Sequence, residues 1–172
     1  MRIRPYEPDR DFTKISHWVN DERTHALWCA GRFPYPLESD SFHAVLSDMR
    51  RNSGDKPFTA VDENGRAVGF FCCWIDRENS NAMLKFVVVD SSARGRGYGR
   101  EMITLAARYA FDAEKVDTVT LNVFSVNEPA RKCYSSAGFK EISVTDNAFS
   151  FGGESWGRCF MRMENKLKED IL

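Results

Sequence analysis

The chain has 172 residues, the length of one ordinary domain and enough to bury most of the surface its unfolded form exposes. Lys plus Arg is 24 against 25 Asp plus Glu, a formal charge of −1, so bulk charge offers no electrostatic case for nucleic-acid binding. With 42% hydrophobic residues, 13 Phe and 4 Trp the composition is unlike that of disordered chains, and the longest apolar stretch, Ala67 to Ile75, is about half of the ~18 residues a membrane span requires.

Met1-Arg2-Ile3-Arg4-Pro5 lacks the apolar core and small-residue cleavage site of a secretory signal, so a cytoplasmic location is expected, with no membrane partner. A short strand near 2–6 leads into a helix near 9–20, with Ile15, Trp18 and Val19 on its apolar side. Residues 25–37 hold Trp28, Gly31, Phe33, Pro34, Tyr35 and Pro36, too aromatic for a solvated loop and too broken for a regular element. A helix near 38–51 follows, with Ser39 and Asp40 as capping candidates and Phe42, Val45, Leu46 and Met49 on one face. Strands at 58–62 and 67–76 flank the Asn64-Gly65 hairpin signal, and another strand spans 83–89. Met102, Leu105, Ala106, Tyr109, Ala110 and Ala113 then recur at helical spacing over 98–113. A strand at 118–124, a helix at 128–137 stopped by Gly138, and strands at 139–145 and 155–163 complete the chain. No internal repeat or low-complexity run divides it, so a single α+β domain over 1–172 with a mixed sheet is expected.

The five cysteines are an odd set without paired CxxC spacing, and adjacent Cys72 and Cys73 point to opposite faces of a strand. Buried reduced thiols and no metal site are the expectation.

The most informative stretch runs Val87-Val88-Val89-Asp90-Ser91-Ser92-Ala93-Arg94-Gly95-Arg96-Gly97-Tyr98-Gly99-Arg100, a buried strand turning through three alternate glycines into a helix. Without side chains, Gly95, Gly97 and Gly99 let a ligand approach the backbone, and first-turn amides and the helix dipole converge on negative charge. Arg94, Arg96 and Arg100 add charge-assisted donors for phosphate. The dinucleotide fingerprint does not fit, because Arg100 stands where its third glycine belongs, and no GxxxxGK run exists for a triphosphate loop.

Arg94-Gly95-Arg96-Gly97-Tyr98-Gly99 resembles the diphosphate loop of the GNAT superfamily of acyl-CoA N-acyltransferases, and Leu121, Val123, Asn127, Ala130, Tyr134, Gly138 and Phe139 are similar to that family's second signature. Ser91 departs from the proline frequent in the family. The resemblance implies a three-layer α/β/α fold, with a mostly antiparallel sheet of about seven strands splayed between the fourth and fifth and about four helices. It implies acetyl-CoA as co-substrate and acetyl transfer to a primary amine, of a small molecule or a protein N-terminus, by direct attack in a ternary complex. It further implies that the backbone of Val87, Val88 and Val89 meets the pantetheine arm, that Asn127 bonds the cofactor or simply caps its helix, and that Tyr134 contacts the cofactor and protonates the leaving thiolate. The final hairpin would pair with a copy of itself in a homodimer. The N-terminal third is similar to the branch containing ribosomal-protein-alanine N-acetyltransferases. A catalytically silent CoA-binding sensor or assembly module is the alternative on the same fold.

An acceptor must attack as a neutral amine, which at pH 7 costs about 1.4 kcal/mol for an α-amino group and about 4.6 kcal/mol for a lysine. Asp76, Glu78 and Glu154 are candidate bases, and His25 is the least implausible of the three histidines. Trp28, Tyr35, Trp74 and Glu154, with Phe33, Phe151 and Trp156, are candidates for the acceptor side.

Overall fold

The structure, a computed structural model, describes residues 1–165. Strands β1 (Arg2–Pro5), β2 (Lys56–Val61), β3 (Ala67–Asp76), β4 (Asn81–Val89), β5 (Thr118–Phe124), β6 (Lys140–Phe151) and β7 (Glu154–Glu164) form one sheet in the order β1-β2-β3-β4-β5-β7-β6. Every neighbouring pair is antiparallel except β4 and β5, which are parallel and joined by the crossover that carries α4 (Tyr98–Asp112). Helices α1 (Pro8–Trp18), α2 (Glu22–Cys29) and α3 (Ser39–Ser53) precede β2, and α5 (Glu128–Ala137) joins β5 to β6.

Among the described residues five α-helices stand where about four were expected, and the additional one is α2, within the stretch read as irregular. Its start is set by Asp21, whose side chain accepts the Thr24 N–H at 2.8 Å, and its end by Ala30, which turns left-handed at φ 51°. The residue before α3 is Glu38, so neither Ser39 nor Asp40 is the cap, and no side-chain cap bond forms there. The final hairpin is longer than expected because Gly152 and Gly153, at φ 56° and 81°, make a tight turn that lets both strands continue to Phe151 and Glu154.

Strand alternation divides the interior into two cores. On one face Met102, Ile103, Ala106 and Ala110 of α4 and Tyr134 of α5 cover Val68, Phe71, Cys73, Leu84 and Leu121. On the other, Ile15, Trp18, Trp28, Phe33, Phe42 and Leu46 cover Phe70, Cys72 and Val88. Cys72 and Cys73 thus lie on opposite faces, as period-two geometry requires, and all five cysteines are free thiols. Among the described residues no group of His, Cys, Asp and Glu is placed to hold a metal ion, and no helix is long and apolar enough to cross a membrane.

Candidate active site

The parallel ladder between β4 and β5 begins at Asn81↔Thr118 and stops at Leu84↔Leu121, although β4 continues to Val89 and β5 to Phe124. Beyond Leu84 the two strands part. The cause is a β-bulge: Cys72 faces Lys85 and Phe70 faces Val88, so Phe86 and Val87 together stand opposite Phe71. Phe86 carries the bulge at φ 51°. The extra residue also turns the side chains over, so that Phe86 and Val88 pack with the α2 face whereas Val87 and Val89 pack with the α4 face. The Trp28 indole N–H donates to the Phe86 carbonyl at 2.8 Å and pins the bulge to α2.

Between the parted strands lies a cleft of about 270 Å³. Met83 to Phe86 form one wall, Asn122 to Phe124 with Arg158 the other, and Leu27 to Cys29 of α2 with its cap Ala30 the roof. Val123 and Leu121 point into the α4 core, so alternation turns Asn122 and Phe124 toward α2. The cleft therefore opens on the α2 face, while the turn leaving β4 leads to α4 on the opposite face.

That turn begins with a 3-10 segment, Ser91–Ala93, where the Asp90 carboxylate accepts from the Ser92 N–H at 2.9 Å. Gly95 and Gly97 then sit at φ 77° and 82°, backbone that a side chain would strain, and nothing lies within 4 Å of a Cβ placed on either. The first helical bond of α4 runs from the Glu101 N–H to the Gly97 carbonyl at 3.0 Å. Among the described residues no acceptor meets the N–H groups from Gly95 through Arg100, a run of six free donors at a helix N-terminus. Arg94, Arg96 and Arg100 are exposed around it and Tyr98 is half-buried. Gly99 also serves packing, since a Cβ there would lie 3.0 Å from Cys133 Sγ, so this glycine allows α4 and α5 to approach closely.

Tyr134 lies on the buried side of α5, 7% exposed, with its ring 6.4 Å from that of Phe139. No hydrogen bond to its hydroxyl forms among the described residues, and burial, with a smaller contribution from Cys133, raises its pKa well above the phenol range. Asn127 is the N-cap of α5, its side-chain oxygen accepting the Ala130 N–H at 3.4 Å. The helix-cap alternative for Asn127 is thus realised, with its side-chain NH2 still unpartnered among the described residues.

The acceptor-side candidates are not all brought together. Trp28 lines the cleft, whereas Tyr35, Trp74 and Glu154 do not. Tyr35 donates to the Asn20 carbonyl at 3.0 Å and is 45% exposed. Trp74 lies beneath Lys85, whose Nζ is 5.1 Å from the ring. Arg23 grips both oxygens of Glu154, and with the Trp156 indole N–H it holds that carboxyl at about 2, so Glu154 is a poor base at neutral pH. Asp76 and Glu78 fail on position: Asp76 pairs with Asn81, four strand residues or about 13 Å from the parting at Lys85, and its carboxylate bonds Asn79. His25 is buried against Trp28 and Tyr35, and desolvation lowers its pKa.

Sequence reasoning missed the Lys85–Asp55 pair, Nζ to carboxylate at 2.9 and 3.2 Å, with Asp55 only 2% exposed. A single lysine in the apolar run Met83 to Val89 was the available signal, because a charge on a covered strand requires a partner. Arg158 was missed as well, and the lone cation opposite Phe124 carried no such signal.

Residues 12–139 match the model of the Acetyltransferase (GNAT) family. The chain is 31% identical over 107 residues, 60% of its length, to the SPbeta prophage-derived uncharacterized N-acetyltransferase YokL of Bacillus subtilis (strain 168), and it spans 59% of that relative's length. The fold is similar to that of spermidine N-acetyltransferase from Vibrio cholerae in complex with CoA and spermine, with TM-score 0.80 and 20% identity over 95% of each chain. It is equally similar to a chimera of the Vibrio cholerae enzyme SpeG and hSSAT, with TM-score 0.80 and 18% identity over 99% of each chain. The strands parted at a bulge, the glycine loop of free amides and the family match agree, and the chain belongs to the GNAT acetyltransferase family.

Proposed function

We propose that this chain is an acetyl-CoA-dependent N-acetyltransferase that acts as one domain and moves an acetyl group to a primary amine by direct attack in a ternary complex. The observation that carries the reading is the run of unpartnered amides from Gly95 to Arg100 at the end of the strand that parts from β5. Six N–H donors, the α4 dipole and the exposed Arg94, Arg96 and Arg100 suit a diphosphate. Gly95 and Gly97 present no side chain that would keep it away.

From that anchor, the unpaired edge of β4 from Lys85 to Val89 offers backbone donors and acceptors to the pantetheine arm, and the gap between strands leads from the α4 face to the α2 face. A backbone N–H of Val87, Val88 or Val89 then polarises the acetyl carbonyl. Asn127 supports the start of α5, so that Tyr134, seven residues on, projects from nearly the same side of the helix. Bound coenzyme supplies the activated thioester. Tyr134, protonated across the whole neutral range, hydrogen-bonds the departing thiolate and passes it a proton while the proton lost by the attacking nitrogen returns to the phenol oxygen through water, so no tyrosinate accumulates. Among the described residues no carboxylate lines the cleft, so the acceptor arrives neutral or loses its proton through water.

The test is release of free thiol from acetyl-CoA with a panel of amines, wild type against Tyr134→Phe. A fall in kcat of about a hundredfold with unchanged CoA affinity supports the assignment. CoA binding without thiol release above hydrolysis with any amine contradicts it and leaves a CoA sensor.

A further inference from the structure

The cleft between the parted strands adjoins a larger cavity of about 540 Å³, and Cys29, Ala30, Lys85 and Phe86 line both. The larger space lies on the α2 face, bounded by Gly31 and Arg32 after α2, by Met49 and Ser53 at the end of α3, and by Asp55. It is therefore on the side from which an amine would reach a thioester held between β4 and β5.

The charges of these walls are unequal. Three cations, Arg32, Lys85 and Arg158, face one carboxylate, Asp55. Asp55 is buried and both its oxygens are taken by Lys85, so it has little left for a ligand. The guanidinium groups of Arg158 and Arg32 are exposed and have no ion pair or side-chain hydrogen bond among the described residues. Glu154, which does not line either space, is matched by Arg23. A polyamine needs carboxylates to hold its far ammonium, and these walls offer it cations.

Building on the acetyl-transfer reading, we propose that the acceptor is an amine whose other end carries an anionic oxygen group, carboxylate or phosphate, and that Arg158 is the residue that binds it. Arg158 lines the same cleft as the bulge and faces Phe124 at the tip of β5, so it reaches a group only a few bonds from the reacting nitrogen. Its planar fork suits either anion. Arg32, at the far cavity, serves longer acceptors.

The experiment uses straight-chain acceptors of one length: a diamine, an aminocarboxylate, the amide of that carboxylate, and an aminoalkyl phosphate. Each is titrated calorimetrically into the CoA-saturated protein and assayed for thiol release with acetyl-CoA. The anionic acceptors are expected to bind about tenfold or more tightly than the amide and to be preferred over the diamine in kcat/KM. The order of carboxylate and phosphate identifies the source of the anion. Arg158→Gln is expected to bring the free acid to the level of its amide through KM, and circular dichroism checks that the variant folds. A diamine bound or acetylated as well as the acid, or an acid-to-amide ratio that Arg158→Gln leaves unchanged, overturns the proposal. Tight, Arg158-dependent binding of the acid without thiol release upholds the anion site and refutes acetyl transfer instead.

Discussion

Replacing Trp28 by Phe removes one hydrogen bond at the residue on which the active-site cleft depends. The indole N–H donates to the Phe86 carbonyl at 2.8 Å, and Phe86 is held at φ 51°, where a side chain is strained. Phenylalanine keeps the stack on Phe33, now 5.1 Å between centroids at 15°, but leaves the bulge carbonyl without its donor. A half-buried carbonyl left without its donor costs about 1–3 kcal/mol and the space left by the smaller ring about 1–2 kcal/mol more. At roughly 2–4 °C per kcal/mol for a chain of this size, thermal denaturation should move down by roughly 4–20 °C. Because the bulge separates β4 from β5, kcat/KM for acetyl-CoA should fall about tenfold or more. Phe33→Leu provides the comparison: it loses packing but keeps the donor, so it lowers Tm with a much smaller effect on kcat/KM. Scanning calorimetry with steady-state thiol release reads both quantities. A Trp28→Phe protein with wild-type Tm and kcat/KM refutes the claim that this bond holds the strands apart.

Gly97→Ala forces a side chain onto backbone at φ 82° with no steric contact nearby, so it should destabilise by about 1–2 kcal/mol in urea unfolding and weaken CoA binding about tenfold in calorimetry. Glu114 is buried beneath Lys56, Tyr109 and Arg77; burial alone would raise its pKa, but these partners outweigh it and hold it at about 2. Its unfolded value is ~4.3, so the stabilisation is complete above that pH and disappears as pH falls toward 2. Glu114→Gln should therefore cost about 1–2 kcal/mol at pH 7, discounted for the exposure of Lys56 and Arg77, and almost nothing near pH 2, measured by urea unfolding at both. Burial raises the Tyr134 phenol, so it stays protonated and the rate should climb with pH as the amine deprotonates, with no descending limb below about pH 10. A bell centred near pH 8 in the pH-rate profile of kcat/KM would exclude Tyr134 as the acid.

Regular periodicity made most elements legible from the residues alone: β5 and α5 fall on 118–124 and 128–137, and the Asn64-Gly65 turn joins β2 to β3. Helix α2 was hidden because its eight residues bear two aromatic or heteroaromatic rings, His25 and Trp28, and run into a proline-rich segment, whereas its one local signal, Asp21 three residues before Thr24, is weak without an apolar stripe. The glycine loop was legible because diphosphate chemistry depends on backbone freedom, which a sequence displays directly. The bulge was not. In the run Lys85 to Val89 every residue but the first is apolar, so a change of face leaves no trace in the pattern, and only the register against Phe70 and Cys72 reveals it. The proposed acceptor side was the least legible part, since the charge of these cavity walls comes from Arg32, Asp55, Lys85 and Arg158, which four separate segments bring together.

If the backbone from Gly95 to Arg100 grasps the diphosphate of coenzyme A, amide-resolved NMR during a CoA titration of the 15N-labelled chain will reveal it. Saturable, downfield shifts concentrated on those six amides are expected, with smaller changes along Val87 to Val89. Binding that leaves the six amides unmoved, or no binding at millimolar coenzyme, contradicts it.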